Sequence, residues 1–312
     1  MSDRVLPKNA EHLTRPYTWK DLPTKHFLVV GLARNCGNTI KQDVLKLHSA
    51  VRPIQNLHWL IIESDSNDDT IAKLTELELE IKQFRFISLG ALQKGMPLRT
   101  ERIAYCRNKY LEELRHNSSY RDVDYVIVAD LDGINKFITE QAFLSCWSKD
   151  GWDVCTANQR GPYSDIWALR HKIWSPNDCW SQYSFLVEHN LPSEEASFAA
   201  VYSKMISIAE NSDWIEVDSA FGGLAVYRRD ALDDAEYVGL DELGNQLCEH
   251  VTFHSILKSK GRRIFINPKL INANSTEHTL HLQPGLLSRL KRNLKGIINR
   301  VKRPLMELMS YF

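Results

Sequence analysis

The chain has 312 residues, 43% hydrophobic and 25% charged, ordinary for a soluble globular protein and enough for one large domain with appendages. Its 39 basic and 39 acidic residues cancel, so no overall field argues for nucleic acid as a partner. The six cysteines are scattered without a C-x-x-C pair, which points away from a disulfide framework or a zinc site. The first twenty residues lack the apolar core of a secretion signal, and no 18-residue apolar run is long enough to cross a membrane. A reducing, cytoplasmic location is therefore expected.

Residues 1–25 are polar and proline-bearing, an extended lead-in. The nearly continuous apolar run 27–33 predicts a buried parallel strand. A turn from Arg34 to Thr39 follows, with Asn38 as a cap for a helix carrying Ile40, Val44, Leu45 and Leu47. Residues 57–62 predict a second strand that ends in Glu63-Ser-Asp65-Ser-Asn67-Asp68-Asp69-Thr70. A helix with Ile71, Leu74, Leu77 and Ile81 comes next, then a third strand over 84–89. A loop marked by Gly90 and Pro97 leads into a helix over about 100–115, and 125–129 reads as a fourth strand. Strands alternating with helical patterns predict β-α-β units and an α/β fold with a mostly parallel sheet. Beyond it, 143–147 looks helical and 152–157 strand-like, whereas 158–213 is irregular and aromatic. Such a segment inside a compact unit is usually a functional loop or lid. Strand-like order returns around Gly222-Gly223, followed by a helix over 247–259 and a strand over 263–267.

The fourth strand ends in Asp130-Leu-Asp132. Alternate residues of an extended chain point the same way, so both carboxylates can aim at one point. In an open α/β sheet, ligands bind beyond the carboxyl ends of the strands. Two carboxylates placed there suit a hard divalent cation and a phosphate-bearing ligand; the plain alternative is a strand-end turn capped by Asp side chains. At the second strand end, Glu63 and Asp65 are candidates for a nucleobase edge or ribose hydroxyls, while Asp68 and Asp69 favour the next helix N-terminus. Arg102 and Arg107, roughly 140° apart around a helix, are candidates for phosphate or ribose. Glu249 and His250 are candidates for acid/base work. His250 and His254 lie at i, i+4 but without the Glu of a zinc-binding H-E-x-x-H pattern. His278 and His281 are candidates for a further metal ligand.

The order of these motifs resembles the GT-A (Rossmann-like) fold of nucleotide-sugar glycosyltransferases. Five features match in order: Arg34-Asn35, Glu63-Ser-Asp65, Arg107-Asn108, Asp130-x-Asp132, and Gly222-Gly223 with Tyr227-Arg228-Arg229 before a helix centred on Glu249. The likeness is to capsule and cell-surface polysaccharide transferases, including the capsule-associated mannosyltransferase group, and covers about 27–283. It implies that Asp132 with Asp130 binds Mn2+ or Mg2+ bridging the diphosphate of a UDP- or GDP-sugar. It implies further that Asp65 and Arg107 hold the nucleotide, and that the Gly222-Gly223 loop admits the sugar; Arg34, Glu63, Arg102 and Asp130 are further donor-binding candidates. Many inverting members carry Glu-Asp where this chain has Glu249-His250, and there the Asp is the general base. The departure leaves His250 as a replacement base, Glu249 as the acting group, or a retaining enzyme with Glu249 near the anomeric carbon; the retaining reading is favoured slightly.

The implied organisation is a lead-in (1–25), a transferase domain (26–284) with a loop insertion (158–213), and a basic tail (285–312). In the tail, seven basic residues stand against Glu307 alone, interleaved with Leu287, Leu290, Leu294, Ile297, Ile298, Val301, Leu305 and Leu308. That pattern predicts an amphipathic helix, kinked at Pro304, on an anionic membrane surface, with a docked helix as the alternative. It suits a peripheral enzyme on the inner face of a membrane, acting on a glycan or lipid-linked acceptor in capsule or lipopolysaccharide synthesis. Two rival functions remain. Asp130-Leu-Asp132-Gly133 also matches a phosphatase of the haloacid dehalogenase type locally, but on the fourth strand, with Ile134 in place of the usual Thr and no later Gly-Asp-x-x-x-Asp motif. The other is a non-catalytic, transferase-like module that binds glycan through the tryptophan-rich loop.

Overall fold

The computed structural model describes residues 19–274. The tail segment, His278 and His281 lie outside the described residues. The strands are β1 (His26–Ala33), β2 (Asn56–Glu63), β3 (Phe84–Ser88), β4 (Tyr125–Ala129), β5 (Val154–Gln159), β6 (Ile215–Val217), β7 (Leu224–Arg228) and β8 (Ile264–Ala273). The helices are α1 (Ile40–Ala50), α2 (Thr70–Glu80), α3 (Arg99–His116), α4 (Glu140–Leu144), α5 (Cys179–Glu188), α6 (Ser193–Ala200) and α7 (Glu249–Ser259).

All eight strands form one sheet in the order β3-β2-β1-β4-β7-β5-β8-β6. β3, β2, β1 and β4 run parallel, as do β5 and β8, while β7 runs antiparallel to both β4 and β5 and β6 antiparallel to β8. This mostly parallel sheet flanked by helices is the architecture expected from the sequence. The apolar runs of β1, β2 and β4 follow from burial on both faces. On one face, Phe27, Val29, Trp59, Ile61, Tyr125 and Ile127 join Ile40, Val44 and Leu47 of α1 and Leu74 and Leu77 of α2 in one core. The alternating residues Leu28, Val30, Leu60 and Val126 are equally buried, and α3 packs on β1 and β2.

Three expectations change in detail. The N-cap of α1 is Thr39, not Asn38, and it makes no side-chain capping bond. The insertion is not simply a loop: it carries α5 and α6, with Asp178 capping α5 through the Trp180 and Ser181 amides. The last strand runs past Pro268 to Ala273, with a register shift against β5 beyond Thr156, where the Asn158 side chain bonds the Pro268 carbonyl at 3.0 Å.

Candidate active site

Because β1, β2 and β4 are parallel, their carboxyl ends deliver Arg34, Glu63 to Asp65, and Asp130 to one sheet edge. β7 starts at that edge in the opposite sense, so Gly223 lies beside Asp130, whose amide donates to the Gly223 carbonyl at 3.0 Å. Two helices complete the place: α3 brings Arg107 and the first turn of α7 brings Glu249.

Arg107 is the hub. Its Nε donates to Glu249 Oε1 at 3.1 Å and its Nη2 to Asp130 Oδ1 at 3.4 Å. Its guanidinium lies 5.3 Å from the Phe221 ring centre and 5.6 Å from that of Tyr237. Burial works against its charge, but Tyr110, Glu249 and Asp130 hold it well above the usual arginine range. Asn108 fixes the Tyr237 wall by pairing with both its backbone groups at 2.8 Å.

One cation faces several acids. Asp130 keeps 39% of its side-chain surface accessible, yet its carboxyl is pushed up to about 7. Desolvation is the largest cause; Arg107 opposes it, and Asp132, Asp165 and Glu249 add to it. The accessible share tempers the burial contribution and leaves the carboxylate within reach of water or a cation. Asp132 is exposed, and among the described residues its Oδ1 accepts only a long bond, 3.3 Å, from the Ile134 amide. Near Arg107, then, Asp130, Asp132, Asp165 and Glu249 exceed the positive charge. Oxygen donors in anionic excess fit Mg2+ or Mn2+. Among the described residues no group of three or more His, Cys, Asp or Glu is arranged to hold a metal ion. The fit is thus to a cation held by one or two carboxylates and completed by phosphate oxygens, the usual mode for Mg2+.

The end of β2 is a different place. Glu63 is 1% exposed and accepts from the Ser66 amide at 3.0 Å and the Ser88 hydroxyl at 2.5 Å. Asp65, at φ +59°, accepts from the Gln93 amide at 2.8 Å and lies 3.8 Å from Arg102. Arg102 donates to the carbonyls of Met96 and Pro97 at 2.6 and 2.7 Å, and exposed Arg34 donates to Gln93 at 2.7 Å. These four sequence-predicted residues come together, but mostly to shape the loops after β1, β2 and β3. Asp68, just before α2, accepts from the Thr70 amide and hydroxyl, while the N-cap is Asp69, which makes no side-chain capping bond.

Gly222 and Gly223 have φ of +71° and +85°, where residues with a Cβ are strained. A Cβ on Gly222 would meet the Ala157 carbonyl at 2.9 Å, and one on Gly223 would meet Ile134 at 2.7 Å. Close approach within the chain therefore already requires glycine here. His250 stacks on Phe221 with ring centres 3.8 Å apart, and both its ring nitrogens are buried without a hydrogen-bond partner among the described residues, Nε2 lying 3.8 Å from Glu249 Oε1. Burial, then Arg107 and His254, holds it well below the usual histidine range, so it is neutral. Buried His254 sits between Ser219 Oγ (2.9 Å from Nδ1) and the Tyr227 hydroxyl (2.8 Å from Nε2). Desolvation, then Arg107, lowers it to about 3, and with both nitrogens engaged the i, i+4 pair makes no zinc site.

Asp165 was missed by sequence reasoning. It belongs to the aromatic insertion, and its Oδ2 accepts from the Gly222 amide at 2.8 Å. Its only sequence signal is an acid set between Tyr163 and Trp167 in a segment without periodicity.

No protein-family model matches the chain, and no curated protein matches it. Among solved structures it is similar to S. aureus TarS 1-349, also solved in complex with UDP-GlcNAc, at 13% identity and a TM-score of 0.46. That match covers 80% of this chain and 60% of TarS 1-349. The mannosyltransferase PcManGT from Pyrobaculum calidifontis, in complex with GDP-Man and Mn2+, is similar at 13% identity and a TM-score of 0.46, covering 80% and 57% of the two chains. Glucosyl-3-phosphoglycerate synthase from Mycobacterium tuberculosis, in complex with UDP, is similar at 14% identity and a TM-score of 0.38, covering 84% and 75%. Likeness at this level carries no argument about this chain's chemistry. This chain spans only about 60% of the length of the first two.

Proposed function

We propose that the protein is a divalent-cation-dependent glycosyltransferase that moves a sugar from a UDP- or GDP-sugar to a glycan or lipid-linked acceptor. The observation that carries this reading is the carboxylate excess around Arg107 beyond the carboxyl ends of the parallel strands. A cation bound there would neutralise that excess and the charge that develops on a departing diphosphate. Asp132, exposed and almost unpartnered, is the residue free to hold it, with Asp130 beside it. Arg107 fixes Asp130 and Glu249 in place from one rigid helix. Glu249 is the acid/base candidate. His250 is less suited, because both its nitrogens are enclosed, so it serves as a wall of the site.

The phosphatase reading uses Asp130 as a nucleophile, a carboxylate that Arg107 pairs through Oδ1 at 3.4 Å. The two readings separate in one assay. Transfer predicts release of UDP or GDP from nucleotide sugars, dependent on Mn2+ or Mg2+, and no inorganic phosphate from sugar phosphates. Phosphate release without nucleotide release would instead establish the phosphatase. A glycan-binding module would show neither.

A place on the inner face of a membrane, in capsule or lipopolysaccharide synthesis, is supported by the basic, amphipathic sequence of 285–312. No helix among the described residues is long and apolar enough to cross a membrane. Removing 285–312 should weaken sedimentation with anionic vesicles while sparing transfer to a soluble acceptor; unchanged sedimentation would refute the anchoring role.

A further inference from the structure

The polar atoms of the Gly222-Gly223 turn are held from two sides. On the sheet side, Asn272 donates to the Gly222 carbonyl at 2.7 Å, and Asn135 donates to the Gly223 carbonyl at 3.0 Å. Asn135 also accepts from Asn272 at 2.9 Å and donates to the Asp130 carbonyl at 2.8 Å, so the turn and the Asp130 strand end share one clamp. The Gly222 amide faces the other way, to Asp165. That side belongs to the insertion, whose backbone pairs with the same segment one step earlier: Arg170 donates to the Ser219 carbonyl at 2.8 Å and accepts from the Asp218 amide at 2.8 Å.

We propose that Asp165 is a positioning residue: by holding the Gly222 amide it locks the glycine turn beside Asp130 and couples the aromatic insertion to that part of the site. Within its own turn only the Ala168 amide favours its carboxylate. Yet it reaches 57 residues along the chain to Gly222, in the neighbourhood of Asp130 and Glu249, where a further negative charge is unfavourable. The amide bond offsets that repulsion. Both glycines have positive φ, so the turn has other backbone states within reach, and the Asp165 bond selects one of them.

The inference rests on the transferase reading for its consequence but not for its test. Hydrogen exchange of a peptide spanning 219–224 reads the Gly222 amide directly, without ligand. Asp165→Ala should speed exchange there by about tenfold, the usual worth of one charge-assisted bond. Asp165→Asn keeps a carbonyl that accepts from Gly222, so its exchange should stay within about threefold of the parent. In turnover, Asp165→Ala should lower kcat about tenfold with donor KM within about twofold, and Asp165→Asn should restore most of it. Unchanged exchange in Asp165→Ala overturns the proposal. So does an Asn variant as slow in turnover as the Ala variant, which would make the charge itself the active feature. If the parent protein turns over no nucleotide sugar, the transferase reading fails while the exchange experiment still decides the role of Asp165.

Discussion

At the end of β2 the carboxylates of Glu63 and Asp65 are enclosed by their own loops, whereas at the end of β4 Asp130 and Asp132 stay open and outnumber their cation. Both strand ends lie on the same sheet edge and both are acidic in sequence. Glu63 has two donors within the chain, and Asp65 has one donor and the Arg102 guanidinium. Asp130 shares one Arg107 with Glu249, close to Asp132 and Asp165. Position on the edge is therefore not enough to mark a ligand site; what matters is which acids the chain leaves uncompensated.

That contrast can be broken by substitution, and the largest effect belongs to the open cluster. Asp132→Ala should cost at least about 100-fold in cation-dependent turnover. As an exposed residue it should move stability by no more than about 0.5 kcal/mol. Full turnover in this variant would remove Asp132 from the site. Arg107→Ala comes next: it leaves Glu249 and Asp130 facing each other near a buried cavity, at a cost of about 3–5 kcal/mol, read as a Tm drop of about 2–4 °C per kcal/mol. A variant as stable as the parent would mean that Arg107 is not what balances the acids. At the enclosed cluster the expected loss is smaller and purely structural. Glu63→Ala should cost about 2–3 kcal/mol, with turnover per folded molecule retained within about threefold. A selective loss of nucleotide affinity there would return Glu63 to the binding surface.

The last effect concerns pH. His254 is held near 3, far below its unfolded value, because it is buried neutral between Ser219 and Tyr227. A depressed histidine contributes stability that is complete above about 6.5 and is lost as pH falls through that value towards 3. Buried His250 acts in the same direction. Asp130, with its carboxyl raised to about 7, acts in the opposite direction over the same window, so the effect is read as a difference: from about pH 6.5 to 4 the Tm of the parent should fall more, or rise less, than that of His254→Gln, and identical pH slopes would contradict this assignment.

The sequence made some of this legible for definite reasons. β1, β2 and β4 are buried on both faces, so they appear as unbroken apolar runs, and the acids that follow them stand out. α5 did not stand out, because only Cys179 among its residues is buried and its aromatic residues mark no single face. The strand expected over 263–267 continues past Pro268 to Ala273 through a register shift. The roles of Arg102 and Asp165 lay beyond sequence reading, since one is set by loop carbonyls and the other by a glycine 57 residues away.

The uncompensated charge at the end of β4 is tested most directly by titrating UDP and GDP into the protein with and without Mn2+. At least one nucleotide should bind about tenfold or more tightly with the cation, and Asp132→Ala should abolish that gain while leaving the metal-free affinity unchanged. Binding of neither nucleotide, or binding indifferent to Mn2+ in both proteins, would contradict the assignment of this site.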